Sequence, residues 1–318
     1  HCQRTGLPLG ALKSIVATLR TYLELVRFSH TIFAMPFAIM SGLIAARIDV
    51  ADNPQLSSIH WLKIAVGIVA CMASARTAAM AFNRLIDRDI DARNPRTAGR
   101  HLPKGLLSVN DVQKLVYSSS ILFVASTFLF LPNWLPAALS VPVLAWLLGY
   151  SYAKRFTPFA HVWLGIALGL TPLAAWIAVR GPVVLANPSE LVPAFVLAFA
   201  VTAWVAGFDT IYACQDAAFD SNERLQSFPS RFGIKGALYI SGFFHFAAVL
   251  ALLALPQTSP LIGSCTTWTV YGISVLLVIE HLLVSSRDLS RVNQAFFTVN
   301  AIIGLVLLAG ISVDLWLA

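Results

Sequence analysis

The chain has 318 residues, 58% hydrophobic and 12% charged, with a mean hydropathy of +0.75. A soluble domain carries about 25% charged residues; half that, over the whole length, excludes disorder, a nucleic-acid-binding protein and an ordinary soluble enzyme, and leaves a polytopic membrane protein. The net charge of +7 would suit a polyanionic partner, but the positions of the charges point elsewhere.

Residues 1–20 lack the unbroken apolar core of a signal peptide. Leu12, Ile15, Val16 and Leu19 instead predict a short amphipathic helix on the membrane surface, so 1–21 is expected to be a separate segment ahead of one membrane domain, 22–318. A spanning helix needs about 20 mostly apolar residues. Nine segments qualify: 22–46, 62–86, 112–131, 134–152, 160–179, 191–214, 236–255, 266–285 and 294–316. The third and fourth are joined by little more than Pro132-Asn133 and should form a tight hairpin. The runs are too long for strands, so the expected fold is all-α. Cys2, Cys71, Cys214 and Cys265 make no CxxC pair and are expected to be inert thiols.

Lysine and arginine mark the cytoplasmic side. Eighteen of the 22 fall at the N-terminal end or in the loops after the second, fourth, sixth and eighth segments; Arg47, Lys63 and Arg180 fall on the other side, and Arg76 lies inside the second segment. The N-terminus is therefore expected in the cytoplasm, with the C-terminus on the far side. The net charge is a topology signal first.

Six of the 15 acidic residues gather in two short windows at cytoplasmic helix ends. The first holds Asn83, Asp87, Asp89 and Asp91. Asn83, Asp87 and Asp91 are spaced i, i+4, i+8 and line one helical face, which Arg76 shares. The second holds Asp209, Asp216 and Asp220, again on one face, flanked by Tyr212. Acids at membrane helix ends are costly and usually functional. Oxygen ligands presented this way suit Mg²⁺, which takes one or two carboxylates and completes its shell with water and substrate phosphates. Two facing windows would hold two or more ions around a diphosphate. The blander alternative, a solvated helix end paired with arginines, would win for a single window and is the lesser reading for two. Basic loops follow each window, 93–105 and 225–233, and offer arginine forks and lysine charges to phosphate. Several of these cations, Arg93 and Arg155 especially, are expected instead to face anionic lipid.

The pattern Asn83-Arg84-Leu-Ile-Asp87-Arg-Asp-Ile-Asp91 with Asp216-Ala-Ala-Phe-Asp220 resembles the UbiA superfamily of intramembrane prenyltransferases. Arg27-Phe-Ser-His30, the Arg96-Thr…Leu-Pro-Lys104 loop, Tyr150-Ser-Tyr152-Ala-Lys154-Arg-Phe-Thr157 and Phe228-Pro-Ser-Arg231-Phe-Gly233 extend the likeness from about residue 22 to 235. The 4-hydroxybenzoate polyprenyltransferase branch looks most similar; a branch that prenylates a dihydroxynaphthoate on the futalosine route to menaquinone has similar blocks.

The resemblance implies a nine-helix bundle in a bacterial inner membrane. It implies Mg²⁺ on Asn83, Asp87, Asp91, Asp216 and Asp220, and transfer of a polyprenyl group from its diphosphate to the ring of a phenolic acid in quinone biosynthesis. Lys104, Arg231 and Arg84 are the candidates for charge on the leaving diphosphate. Arg84 stands where the family often has Asp; it points about 100° away from Asn83, so it is read as a partner of Asp87 or Asp91 or a diphosphate contact, not a metal ligand. Arg27, then Arg76, is expected to meet the acceptor's carboxylate, although Arg76 could equally be a structural partner of Asp209. Tyr150, Tyr152 and Lys154 could line the acceptor pocket, the tyrosines otherwise serving as interfacial belt residues. Asp209 would orient or deprotonate the phenol, or complete a metal shell. A cation transporter would need polar groups near the midplane, and these acids sit at one face. The D-x-x-D-G-x-x-A-R run of CDP-alcohol phosphotransferases is absent.

Overall fold

A computed structural model of the protein describes residues 21–26 and 34–318. The surface helix expected over 1–20, and Arg27, His30 and Cys2, lie outside the described residues. All regular elements among the described residues are helical: α1 (Met35–Asp52), α2 (Ser58–Ile86), α3 (Arg88–Arg93), α4 (Val109–Thr127), α5 (Leu135–Gly149), α6 (Ala160–Ala186), α7 (Val192–Ala213), α8 (Ala217–Asn222), α9 (Phe228–Ala254), α10 (Ser264–Leu282) and α11 (Asn300–Leu317). Eight helical stretches among them, built on α2, α4, α5, α6, α7, α9, α10 and α11, are long and apolar enough to cross a membrane. The 18-residue α1 is the ninth apolar helix, though Arg47, Asp49 and Asp52 load its C-terminal half.

These helices are apolar on both faces because one side packs on neighbours and the other meets lipid. Tyr117, Ile121, Phe199, Phe243 and Trp268 stand outward, while Phe37, Met40, Trp176, Leu197 and Ile273 fill the core. The central helix is α7, buried on nearly all sides. Helix α6 reaches it through glycines. A Cβ on Gly165 would meet the Thr202 carbonyl oxygen at 2.3 Å, and one on Gly169 would meet Thr202 Oγ1 at 2.3 Å. Lipid gives no hydrophobic drive between helices, so such close backbone approach is what holds them together.

Several polar groups inside the bundle are paired across helices. Trp204 Nε1 donates to Asn300 Oδ1 at 2.7 Å, and Asn300 Nδ2 donates to Glu280 Oε1 at 2.9 Å, joining α7, α10 and α11. At the end where α1 stops, buried Arg180 reaches Asp49, Asp52 and Glu190 at 2.9–3.2 Å. Arg180 departs from helical geometry (φ −119°, ψ 24°) two residues before Pro182. The missing N–H and ring of that proline loosen the turn, which lets the guanidinium gather three acids.

Two details differ from the expected elements. Residues 228–233, expected as a loop, open α9. Ser227 and Ser230 form a reciprocal cap, Pro229 sits in the first turn, and the kink falls at Gly233, whose φ of +70° suits glycine. Neither acidic window is one continuous helix. Asp87 (φ −93°, ψ 5°) ends α2 before α3, and Asp216 (φ −100°, ψ 3°) ends a 3₁₀ turn, Cys214–Asp216, before α8. Both aspartates occupy the bridge region of backbone space, where turn and active-site residues are common.

Candidate active site

The two breaks put the windows against each other. Asn83, Asp87 and Asp91 from the α2–α3 corner and Asp209, Asp216 and Asp220 from the α7–α8 corner line one cavity of about 170 Å³, with Tyr150, Lys154, Arg155, Arg96, Arg100 and His161. Ending a long helix and restarting it as a six-residue helix turns each second carboxylate inward: Asp91 and Asp220 are both buried.

Each carboxylate has a partner. Asn83 Nδ2 donates to Asp87 Oδ2 at 2.9 Å, and Arg155 Nη2 to Asp87 Oδ1 at 2.9 Å. Arg100 Nη1 meets both oxygens of Asp91 at 2.6 and 2.7 Å. Arg96 forks onto Asp216, with Nε 2.8 Å from Oδ1 and Nη2 on Oδ2, and Asn94 Nδ2 adds a bond of 3.1 Å. Lys154 Nζ lies 3.3 Å from Asp220 Oδ2. Adjacent residues of the Tyr150–Arg155 3₁₀ segment therefore hold one carboxylate of each window, and the segment is fixed by a Gln226 N–H donating to the Lys154 carbonyl at 2.7 Å. Asp209 differs: its partner is His161 Nδ1, at 2.7 Å.

Two groups outside the spanning helices are electrostatically tuned. Burial pushes the Asp87 carboxyl above the ordinary range, the charge of Asp91 adds to that, and Arg155 opposes both. Burial works against the charge on Arg96, but its bonds to Asp216 outweigh it and raise the guanidinium further.

The sequence-derived site thus divides. Asn83, Asp87, Asp91, Asp209, Asp216, Asp220, Tyr150 and Lys154 share the cavity. Arg76, Arg84, Lys104, Tyr152 and Arg231 lie outside its lining: Arg84 is buried on α2, Lys104 and Arg231 are exposed, and Tyr152 packs edge-on against Phe82. Arg155, expected toward lipid, is instead a cavity residue on Asp87. Arg93 stays outside it on Glu223, at 2.8 Å. Sequence reasoning gave Arg96 and Arg100 only the collective phosphate role of the 93–105 loop and missed Asn94 and His161. For the three loop residues, spacing within a basic loop does not say which carboxylate each arm meets. For His161 the available signal was a histidine four residues ahead of Gly165 and eight ahead of Gly169 on an apolar helix.

The donors aimed at the cavity by the two windows are oxygen alone, the chemistry of a hard cation. Among the described residues, no three His, Cys, Asp or Glu side chains gather into a cage that would hold a metal by themselves. That suits Mg²⁺, which is held by one or two carboxylates with phosphate and water, and not a closed structural site.

The UbiA prenyltransferase family model matches residues 34–302, and the chain belongs to that family. It is an integral membrane prenyltransferase. The chain is 31% identical over 265 residues to the 4-hydroxybenzoate octaprenyltransferase of Citrobacter koseri, covering 82% of this chain and 84% of that one. The structure of a UbiA homolog from Aeropyrum pernix superposes with a TM-score of 0.77 at 33% identity, over 90% of this chain and 98% of that one. A UbiA homolog from Archaeoglobus fulgidus, bound to DMAPP and Mg²⁺, shares the fold with a TM-score of 0.63 at 18% identity, over 94% of this chain and all of that one.

Proposed function

We propose that the protein transfers a polyprenyl group from its diphosphate to the ring of a phenolic acid of the 4-hydroxybenzoate type. The observation that carries this reading is the convergence of six Asn and Asp residues of the two windows and four Lys or Arg side chains on one cavity at the end of an apolar bundle. The relatives named for 4-hydroxybenzoate, and the Mg²⁺ and DMAPP bound by a homolog of the same fold, support it. A dihydroxynaphthoate acceptor uses the same chemistry and is the second reading.

Asn83, Asp87, Asp91, Asp216 and Asp220 would hold Mg²⁺, which when bound supplies the positive charge that stabilises the departing diphosphate. Arg96, Arg100, Lys154 and Arg155 lie within hydrogen-bond reach of those carboxylates. They are thereby positioned to turn to phosphate oxygens and neutralise charge as the allylic C–O bond breaks. The apolar helices beyond the cavity house the prenyl chain and keep water from the allylic cation, which water would convert to an alcohol. Arg27, outside the described residues, and Arg76 remain the proposed contacts of the acceptor's carboxylate.

The test is an assay in nanodiscs with prenyl diphosphates of several lengths, a panel of phenolic acids and Mg²⁺, read by mass spectrometry. Prenylated 4-hydroxybenzoate is expected, and excess EDTA should abolish it. Asp87→Ala and Asp216→Ala should each reduce product by at least about 10²-fold, the scale of losing one charge-stabilising group, while the protein stays folded. Undiminished turnover in EDTA, or in either variant, would refute the site.

A further inference from the structure

Five acids line the cavity, and one is set apart by its partner. Asp87, Asp91, Asp216 and Asp220 each lie against an arginine or lysine. Asp209 lies against His161, at 2.7 Å. The two are not equivalent in position. Both line the cavity, but the Asp209 side chain is 17% exposed and that of His161, on α6, only 1%. Beyond His161 is the ring of Phe228, with centroids 5.3 Å apart, and His161 Nε2 is buried with no hydrogen-bond partner.

That orphaned nitrogen determines the tautomer. A carboxylate oxygen only accepts, so Nδ1, 2.7 Å from Asp209, carries a hydrogen, and a second, buried N–H at Nε2 would lose its hydrogen bond to water with nothing in return. The arrangement that avoids this has Nδ1–H donating to Asp209 and only a lone pair on Nε2. His161 is then a neutral, fixed donor. It occupies one oxygen of Asp209 and orients the other without cancelling the carboxylate's charge. A carboxylate already bonded to a cation has its charge and lone pairs engaged; Asp209 keeps its own.

The depth of Asp209 suits the acceptor. It precedes Asp216 by seven residues, about 10 Å deeper toward the apolar core along α7 and the 3₁₀ turn that extends it. A diphosphate held near Asp216 and Asp220 would place its allylic carbon between those acids and Asp209, which is where the acceptor ring must come.

Resting on the reading above, we infer that Asp209 is the proton acceptor of the transfer and His161 the residue that positions it. In this step the allylic C–O bond breaks and its electron pair leaves with diphosphate. A ring carbon ortho to the phenol supplies the pair for the new C–C bond and becomes a tetrahedral centre of a cationic ring. Asp209 takes the hydrogen of that carbon as a proton, the C–H pair returns to the ring and aromaticity is restored. The proton then leaves to solvent through the cavity mouth. Before that transfer the negative charge of Asp209 stabilises the cationic ring.

The experiment separates donor cleavage from ring prenylation in the full-length protein in nanodiscs, measuring released diphosphate and prenylated acid in parallel. In Asp209→Asn, ring prenylation should fall about 10²-fold or more, the scale of losing a general base, while Mg²⁺-dependent diphosphate release persists within a few-fold and prenyl alcohol accumulates. His161→Phe, which fills the space but offers no donor, should lower kcat with the donor KM unchanged. It should also bring out a primary isotope effect with ring-deuterated acceptor, because proton removal becomes slow. His161→Asn, whose amide restores an N–H near the Nδ1 position, should recover most of kcat and suppress the isotope effect. Equal loss of both products in Asp209→Asn would assign Asp209 to the donor side and overturn the inference. So would wild-type prenylation in that variant, or a slow His161→Phe without an isotope effect. If the wild-type protein itself prenylates no phenolic acid, the acceptor reading fails instead.

Discussion

At the scale of single residues, the cavity is a set of matched charges, most of whose partners come from distant parts of the chain. Arg96 follows the first acidic window yet forks onto Asp216 of the second, 120 residues away, and also donates to the Tyr212 hydroxyl at 3.2 Å. A bidentate fork recognises planar oxyanions, and a carboxylate and a phosphate both present such oxygens. Arg96 is therefore expected to serve the diphosphate when the donor enters. Arg96→Ala should raise the donor KM by about 10–100-fold, corresponding to one charged hydrogen bond of roughly 1.5–3 kcal/mol, with the acceptor KM little changed. Arg96→Lys should recover only part of the loss, since an ammonium cannot engage two oxygens at once. A rise confined to the acceptor KM, measured by initial rates at saturating partner, would assign Arg96 to the ring side. This pairing could not be read from the sequence. The acids were legible because carboxylates are scarce in an apolar chain and recur at helical spacing. Which of the arginines meets which acid depends on how the loop folds back, and spacing along the loop does not encode that.

At the scale of elements, the Asp209–His161 pair depends on how closely α6 and α7 approach. His161, Gly165 and Gly169 are spaced i, i+4, i+8 on α6 and so share the face turned to α7. The same glycines that seat α6 on Thr202 thus bring His161 to Asp209, two turns further along α7. Gly165→Ala is the sharpest probe. Its Cβ would lie 2.3 Å from the Thr202 carbonyl oxygen, a backbone atom that cannot turn aside. The helices must separate, at a cost of about 1–3 kcal/mol for an overpacked core position. A lowered midpoint in detergent thermal unfolding is expected, with kcat falling more than the donor KM rises because the His161 contact is lengthened. Gly272→Ala on α10, whose Cβ would meet nothing within 4 Å, is the control and should leave both unchanged. An unchanged midpoint in Gly165→Ala would mean that the helix contact is looser than this. Helix number and approximate limits were readable because about 20 apolar residues have few other uses. The corners at Asp87 and Asp216 were not, since i+4 spacing fits an unbroken helix as well as one that stops and restarts.

At the scale of the whole molecule, the helix ends sort into two unlike surfaces. One carries the cavity and the loops 93–108, 150–159, 214–227 and 283–291; the other carries the α1–α2 connection, the start of α5 and the Arg180 cluster. Lysine and arginine crowd the first surface. In the second, Arg180 is already neutralised by three acids, which leaves little net positive charge there. Because short loops rich in Lys and Arg remain on the cytoplasmic side, the cavity is expected to open to the cytoplasm, where soluble diphosphate is released and acceptor arrives. Single cysteines test this. Gln55 and Leu106 are exposed, in the α1–α2 connection and in the loop before α4 respectively. The cysteines among the described residues, Cys71, Cys214 and Cys265, are buried or half-buried and free, so the parent protein supplies the background. In bacterial spheroplasts, an impermeant maleimide should label Gln55→Cys directly and Leu106→Cys only after the membrane is opened. The reverse pattern would place the cavity outside, and the crowding of basic loops around it would then serve the anionic substrate and not orientation.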